Sequence, residues 1–212
     1  MKNIIFLLFF VFLTNVNSQN PLLTSDHSDQ VKWVDSVYNS LSIDEKIGQL
    51  FTVWVATKYG DDEINEISKL IENYHLGGLI FSLGNIKDQA LAINHFQKIS
   101  NVPLLISMDA EWGIGMRLSD AFSFPYNMTL GAIKNDNLIY DVGKRIGYHA
   151  KRLGVQINFA PVVDVNTNPR NPIIGSRSFG EDKYNVARKG VSYLKGMHYH
   201  GIMGAAKHFP GH

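Results

Sequence analysis

Pro103-Leu104-Leu105-Ile106-Ser107-Met108 runs straight into Asp109-Ala110-Glu111-Trp112-Gly113-Ile114-Gly115-Met116-Arg117. The first six residues are a short apolar, β-prone run of the kind that is buried on both faces of a parallel sheet. A carboxylate at the end of such a strand has no packing reason to be there. A second carboxylate, an indole, two glycines and an Arg then follow within one loop. Paired carboxylates can act as acid and nucleophile on a glycosidic bond, bind a metal, or hold sugar hydroxyls by bidentate hydrogen bonds. The plainer alternative is an Asp109–Arg117 ion pair that braces the loop.

Working outward, the same rhythm of short strand and amphipathic helix repeats on both sides. Upstream, Ser42-Ile43-Asp44-Glu45 has the form of a capping box and opens a short helix carrying Ile47 and Leu50. Leu50–Val55 is a strand candidate, and Asp61-Asp62-Glu63 places acid at the start of a helix with Ile64, Ile67, Leu70 and Ile71 at helical spacing. Gly77–Phe81 is the next strand, followed by a helix over about 86–100 with Ala90, Ile93, Phe96 and Gln97 on its faces. Downstream, a Gly-, Phe- and Pro-rich excursion reaches Gly131, and a helix runs from about Asp136 to Leu153. Val155–Ala160 is a fourth strand whose apolar run continues past Pro161 to Val165. A polar loop (about 166–182), a helix from about Tyr184 to Tyr199 and a fifth strand, Gly201–Ala206, complete the series.

This alternation argues for an α/β fold with a parallel sheet covered by helices. Both a doubly wound sheet and a (β/α)8 barrel fit it. No glycine-rich phosphate fingerprint follows the first strand, as a dinucleotide fold would require. The unusual polar residues also gather just after strand C-termini: 109–117 after the third, 164–177 after the fourth, 207–212 after the fifth. In a barrel that is the face on which sites are built. The expectation is therefore a TIM-type (β/α)8 barrel, cut after about the fifth strand, with no helix covering that strand.

Composition bounds the rest. Hydrophobic residues make up 45% and charged residues 18%, with 20 basic against 19 acidic side chains and a formal charge of +1. No charge run points to nucleic acid or an anionic membrane surface. The absence of Cys excludes disulfides, thiolate metal sites and a Cys nucleophile. Met1-Lys2-Asn3, the apolar run Ile4–Leu13 and the modest residues Val16 and Ser18 form the pattern of a cleaved secretory signal, too short for a bilayer span. The alternative is an N-terminal membrane anchor; with no Cys after the apolar run, a lipoprotein anchor is excluded. The expected organisation is a signal peptide over 1–18, a polar leader over 19–32 and an incomplete barrel over 33–212. The mature chain is expected to be exported, periplasmic or extracellular, with no stable membrane anchor.

Two further segments bear on chemistry. Lys207-His208-Phe209-Pro210-Gly211-His212 presents a cation and an imidazole on a rigid turn after the fifth strand, both able to donate to hydroxyls of a neutral polar ligand. Solvated surface side chains are the bland alternative. In Gly175-Ser176-Arg177-Ser178-Phe179-Gly180 an Arg sits between small residues and a Phe, placed for a bidentate contact, with Asp164 at the end of strand four as the obvious structural partner.

Taken in order, these pieces resemble glycoside hydrolase family 3, and specifically its β-N-acetylhexosaminidase branch. The matching elements are Lys46-Ile47-Gly48-Gln49-Leu50-Phe51, Gly77-Gly78-Leu79-Ile80, and Asp109 with Glu111, Gly113 and Arg117. They continue with Phe159-Ala160-Pro161-Val162-Val163-Asp164, Arg177-Ser178-Phe179-Gly180 and Lys207-His208-Phe209-Pro210-Gly211-His212. Lys-His-Phe is shared across the family; the Pro-Gly-His extension favours the N-acetylglucosaminide branch. The resemblance implies that Asp109, Arg117, Arg177, Lys207 and His208 line the pocket for the terminal sugar. Asp109 would accept from hydroxyls, and Arg117, Arg177 and Lys207 would donate to hydroxyls and the N-acetyl group.

It further implies a retaining enzyme with an Asp nucleophile and an Asp-His acid/base, both expected downstream of His212. No catalytic group is therefore expected within these residues, and no metal or organic cofactor is implied. The implied substrate is a glycan or cell-wall fragment with terminal β-linked N-acetylglucosamine. A β-glucosidase or β-xylosidase of the same family, and a non-catalytic carbohydrate-binding protein, are the alternatives. One departure is Trp112, where the branch commonly has Gly: the indole either stacks on a sugar or packs within the protein. Asn127-Met128-Thr129 is also a glycosylation sequon.

Overall fold

The computed structural model describes residues 26–212. The expected signal peptide, and the part of the polar leader before Asp26, lie outside the described residues.

The chain divides into two units, at Ser40. The first holds α1 (His27–Ser40), with Asp29 and Lys32 paired one turn apart. Within the segment read as a polar leader, 19–32, helix begins at His27. Val31, Val34 and Tyr38 recur at helical spacing, which is the physical reason a helix forms there.

The second unit is a strand–helix series. Its elements are α2 (Ile43–Gly48), β1 (Thr52–Val55), α3 (Asp61–Tyr74), β2 (Gly78–Phe81), α4 (Ile86–Ile99) and β3 (Leu105–Met108). They continue with α5 (Asn127–Gly131), α6 (Asp136–Arg152), β4 (Ile157–Asn158), α7 (Lys183–His198) and β5 (Met203–Gly204). The capping box is formed: Ser42 Oγ accepts from Glu45 N–H and the Glu45 carboxylate accepts from Ser42 N–H.

All strand pairs are parallel and the order is β1-β2-β3-β4-β5. A doubly wound sheet reverses its order at a switch point; here each strand lies beside its sequence neighbours, as in the first five strands of a (β/α)8 barrel. β4 and β5 are shorter than their apolar runs. Pro161 has no N–H to give to a ladder, so pairing stops before it and resumes as an isolated bridge between Val162 and Lys207. That bridge pins Lys207 by its backbone: Val163 N–H donates to Lys207 O at 2.7 Å, and Lys207 N–H to Pro161 O at 3.0 Å.

The core lies between strands and helices. Val55, Leu79, Phe81, Ile106 and Met108 meet Ile67 and Ile71 of α3, Ile93 and Phe96 of α4, Ile139 and Ile146 of α6, and Val186, Tyr193 and Met197 of α7. Helices α6 and α7 pack backbone to backbone. A Cβ on Gly143 would sit 2.2 Å from Tyr193 O, and one on Gly196 would sit 2.2 Å from Tyr140 O. That closeness seats Tyr193 deep under the loop that follows β3. Among the described residues no helix is long and apolar enough to cross a membrane.

Candidate functional site

The loops after β3, β4 and β5 converge on one cluster of charged side chains. Asp109 and Glu111 come from the first, Asp164 and Arg177 from the second, Lys207 and His208 from the third. Lys207 Nζ lies 2.8 Å from Asp109 Oδ1 and 2.8 Å from Glu111 Oε1. Arg117 Nη2 donates to Asp109 Oδ2 at 2.8 Å and its Nε donates to Asp109 O at 3.1 Å. Arg177 grips Glu111 through two parallel bonds, Nε to Oε2 at 2.9 Å and Nη2 to Oε1 at 2.7 Å. The result is one chain of alternating charge: Arg117, Asp109, Lys207, Glu111, Arg177.

Exposure separates the members. The Glu111 side chain is 1% exposed, whereas those of Asp109, Arg117 and Arg177 are about a quarter exposed. Glu111 is therefore the buried keystone, and the others keep polar surface open to solvent. Burial pushes the Glu111 carboxyl up, but hydrogen bonds from Arg177 and Lys207 outweigh it and hold the group below its ordinary value. In return Glu111, by its hydrogen bond and charge, raises Arg177 above the ordinary arginine value.

Asp164 serves a different partner from the one expected. Arg177 pairs with Glu111, and Asp164 instead accepts from His208: Nδ1 at 2.7 Å and backbone N–H at 3.1 Å, with His212 N–H at 2.7 Å on its other oxygen. The Asp164–Arg177 pair, one of the two readings open from the sequence, is not formed: β4 delivers Asp164 beside the loop after β5. Burial raises the Asp164 carboxyl, and the bonds from His208 and His212 more than reverse this. With Nδ1 directed to Asp164, Nε2 is the remaining polar atom of the His208 ring.

Buried polar groups fix the loop that carries the keystone. Asn158 in β4 accepts from Ala110 N–H at 2.9 Å and donates to Ala110 O at 3.2 Å. The Tyr193 hydroxyl donates to Glu111 O at 3.0 Å, and burial raises its pKa well above the ordinary tyrosine value. Asn127 Nδ2 donates to Arg177 O at 2.8 Å, with its residue 1% exposed, so this asparagine is occupied and the sequon is closed in the folded chain. Trp112 is half-buried and meets Tyr126 edge-on, ring centroids 4.6 Å apart.

The five residues expected to line a pocket, Asp109, Arg117, Arg177, Lys207 and His208, thus stand together. The Asp109–Arg117 brace exists alongside that grouping. Glu111, Asp164, Asn158 and Tyr193 were not among them. Glu111 had a visible signal, a second carboxylate two residues from Asp109; Asn158 had one as an amide inside an apolar strand. Tyr193 had none. Among the described residues no cluster of His, Cys, Asp and Glu could hold a metal ion.

Fold and site together define a barrel-type α/β protein with a cluster of paired charges on the C-terminal rim of its strands. The chain belongs to glycosyl hydrolase family 3: the model of that family's N terminal domain matches residues 42–212. It is similar to a β-N-acetylglucosaminidase/β-glucosidase of Cellulomonas fimi, 34% identical over 183 residues, covering 86% of this chain and 32% of that protein. Among solved structures it resembles β-glucoside phosphorylase BglX with a TM-score of 0.80 at 27% identity, covering 90% of this chain and 33% of the other. It also resembles a family 3 β-N-acetylglucosaminidase from Paenibacillus sp. str. FPU-7, TM-score 0.72 and 37% identity, covering 81% and 34%. The chain spans about a third of the length of these relatives.

Proposed function

We propose that the whole protein is a retaining glycosidase that removes terminal β-linked N-acetylglucosamine, and that the cleft binds that terminal sugar. The observation that carries the reading is the alternating charge chain with His208 at its side. A neutral sugar offers hydroxyls that both donate and accept, and a cleft of paired charges meets each with a fixed partner. Asp109 accepts from hydroxyls; Arg117, Arg177 and Lys207 donate to hydroxyls and the acetamido carbonyl; His208 contributes Nε2.

The same electrostatics argue against Glu111 and Asp164 as the general acid. A general acid needs a raised pKa, whereas Glu111 and Asp164 are both lowered. Asp109 already satisfies two cations at 2.8 Å. The acid/base and nucleophile are proposed to come from outside residues 1–212. The apolar run Ile4–Leu13 supports export of the protein.

A second reading is favoured by the likeness to a phosphorylase and to a dual-named relative. In it the same glycosyl intermediate is taken by phosphate instead of water, or the terminal sugar is glucose. The test is turnover by the whole protein of aryl β-N-acetylglucosaminide and aryl β-glucoside, each with and without inorganic phosphate, beside Asp109→Ala. Preference for the acetamido sugar, phosphate-independent and lost in the variant, supports the proposal. Phosphate-dependent release of a sugar 1-phosphate moves the assignment to phosphorolysis. Sugar binding without turnover leaves a carbohydrate-binding protein.

A further inference from the structure

We infer that Asp164 is a positioning residue for the proposed glycosidase, acting on the terminal sugar through His208 rather than by touching it. This deepens the reading of the charged cluster as the terminal-sugar site and rests on that reading. The Asp164 side chain is 4% exposed. Its two oxygens already accept three bonds, all from one turn. His208 Nδ1 at 2.7 Å and His208 N–H at 3.1 Å meet Oδ2, and His212 N–H at 2.7 Å meets Oδ1. A carboxylate so covered has almost no surface left for a ligand, whereas the His208 side chain is 32% exposed.

The turn has little else to hold it. Among the described residues Phe209, Pro210, Gly211 and His212 are all exposed, Phe209 by 98%. Apolar burial therefore does not fix their path, and hydrogen bonds to the loop after β4 take its place. Besides Asp164, that loop supplies Asn171, whose Nδ2 donates to His212 O at 3.3 Å. Lys207 differs: the bridge to Val162 pins its backbone, and Asp109 and Glu111 hold its ammonium. Loss of Asp164 thus frees His208 and leaves Lys207 in place. The carboxylate also sets the state of the ring. Its bonds to the turn favour the ionised form, which accepts and never donates, so Nδ1 carries the hydrogen and Nε2 is the nitrogen left for other partners.

The test is a double-mutant cycle on kcat/KM of the whole protein with an aryl β-N-acetylglucosaminide, using Asp164→Asn, His208→Ala and the double variant. Asn keeps the size of Asp, but its amide nitrogen confronts a donor of the turn. Each single variant is expected to lose about tenfold or more, the scale of one charge-assisted hydrogen bond. The double variant should lose no more than about twofold beyond the larger single loss, because both changes remove the same interaction. Losses that multiply are the pattern of a merely structural Asp164 and overturn the proposal. So does an Asp164→Asn enzyme within about twofold of the wild type. If Asp164→Asn does not fold, the ring is read in the folded wild type by NMR of isotope-labelled histidine, with His208→Ala for assignment. With the ring neutral, hydrogen on Nδ1 supports the proposal and hydrogen on Nε2 overturns it. A wild type that neither cleaves nor binds the amino sugar sinks the terminal-sugar reading and this proposal together; multiplied losses in an active enzyme sink this proposal alone.

Discussion

The two rims of the sheet solve the same problem with opposite chemistry. At the N-terminal rim, three glutamine amides close the strand entrances. Gln49 donates to His75 O at 2.7 Å, Gln97 bonds both the N–H and the C=O of Leu104 at 3.0 and 2.8 Å, and Gln156 accepts from Ile106 N–H at 2.7 Å. Each neutral side chain satisfies backbone and stops there. At the C-terminal rim, charged side chains satisfy one another, and most of them keep exposed polar surface. A rim that uses up its hydrogen bonds on its own backbone is built for stability; one whose charged side chains keep exposed polar surface is where the proposed sugar site lies.

The largest expected effect that would test this division is Glu111→Ala. It leaves Arg177 and Lys207 without their buried partner, and the unfolding free energy of the whole protein should fall by about 3–5 kcal/mol. Turnover of the N-acetylglucosaminide should fall at least about a hundredfold, because two binding cations lose their orientation. Next is Gln97→Leu on the opposite rim. Denaturant unfolding should register a loss of about 2 kcal/mol from two unpaired backbone groups, with KM unmoved; a KM that rises in step with the destabilisation would break the comparison. Smaller again is Tyr193→Phe, costing about 1 kcal/mol. It should raise KM a few-fold more than it lowers kcat, since it frees the backbone under Glu111.

The smallest effect is on pH dependence. Glu111 and Asp164 have folded values below their ordinary 4.5 and 3.8. The stability each contributes is therefore full above those ordinary values and is lost as pH falls through the lowered ones. Stability measured against pH should hold down to about pH 4.5 and then decline. Asp164→Asn should shallow that acid decline, and an unchanged slope would mean Asp164 does not gain from His208.

Much of this was legible in the chain because the determinants are local. The capping box at Ser42, the acidic start of α3 and the helical spacing along α6 need no knowledge of the rest of the molecule. The sheet class was legible from short apolar runs alternating with helical ones, the rhythm of a parallel sheet. The partner of Arg177 was not. Asp164 is the nearer carboxylate in sequence, but 66 residues separate Arg177 from Glu111, and only the side-by-side order of β3 and β4 brings those loops together. Tyr193 is hidden for a related reason: along α7 it reads as one more core aromatic, and its hydroxyl acquires a purpose only when α6 and α7 close to backbone contact.

The strand order carries a consequence for how the cleft comes into being. Since each strand among the described residues pairs with its sequence neighbours, the sheet can be laid down in the direction of synthesis. Once the loop after β4 has docked, two separate charge pairs stand side by side, Arg117 with Asp109 and Arg177 with Glu111. Lys207 arrives 98 residues after Asp109 and reaches one oxygen of each carboxylate. It is the clasp of the assembly: the residue that turns two finished pairs into a single cleft is delivered by the strand that docks after both.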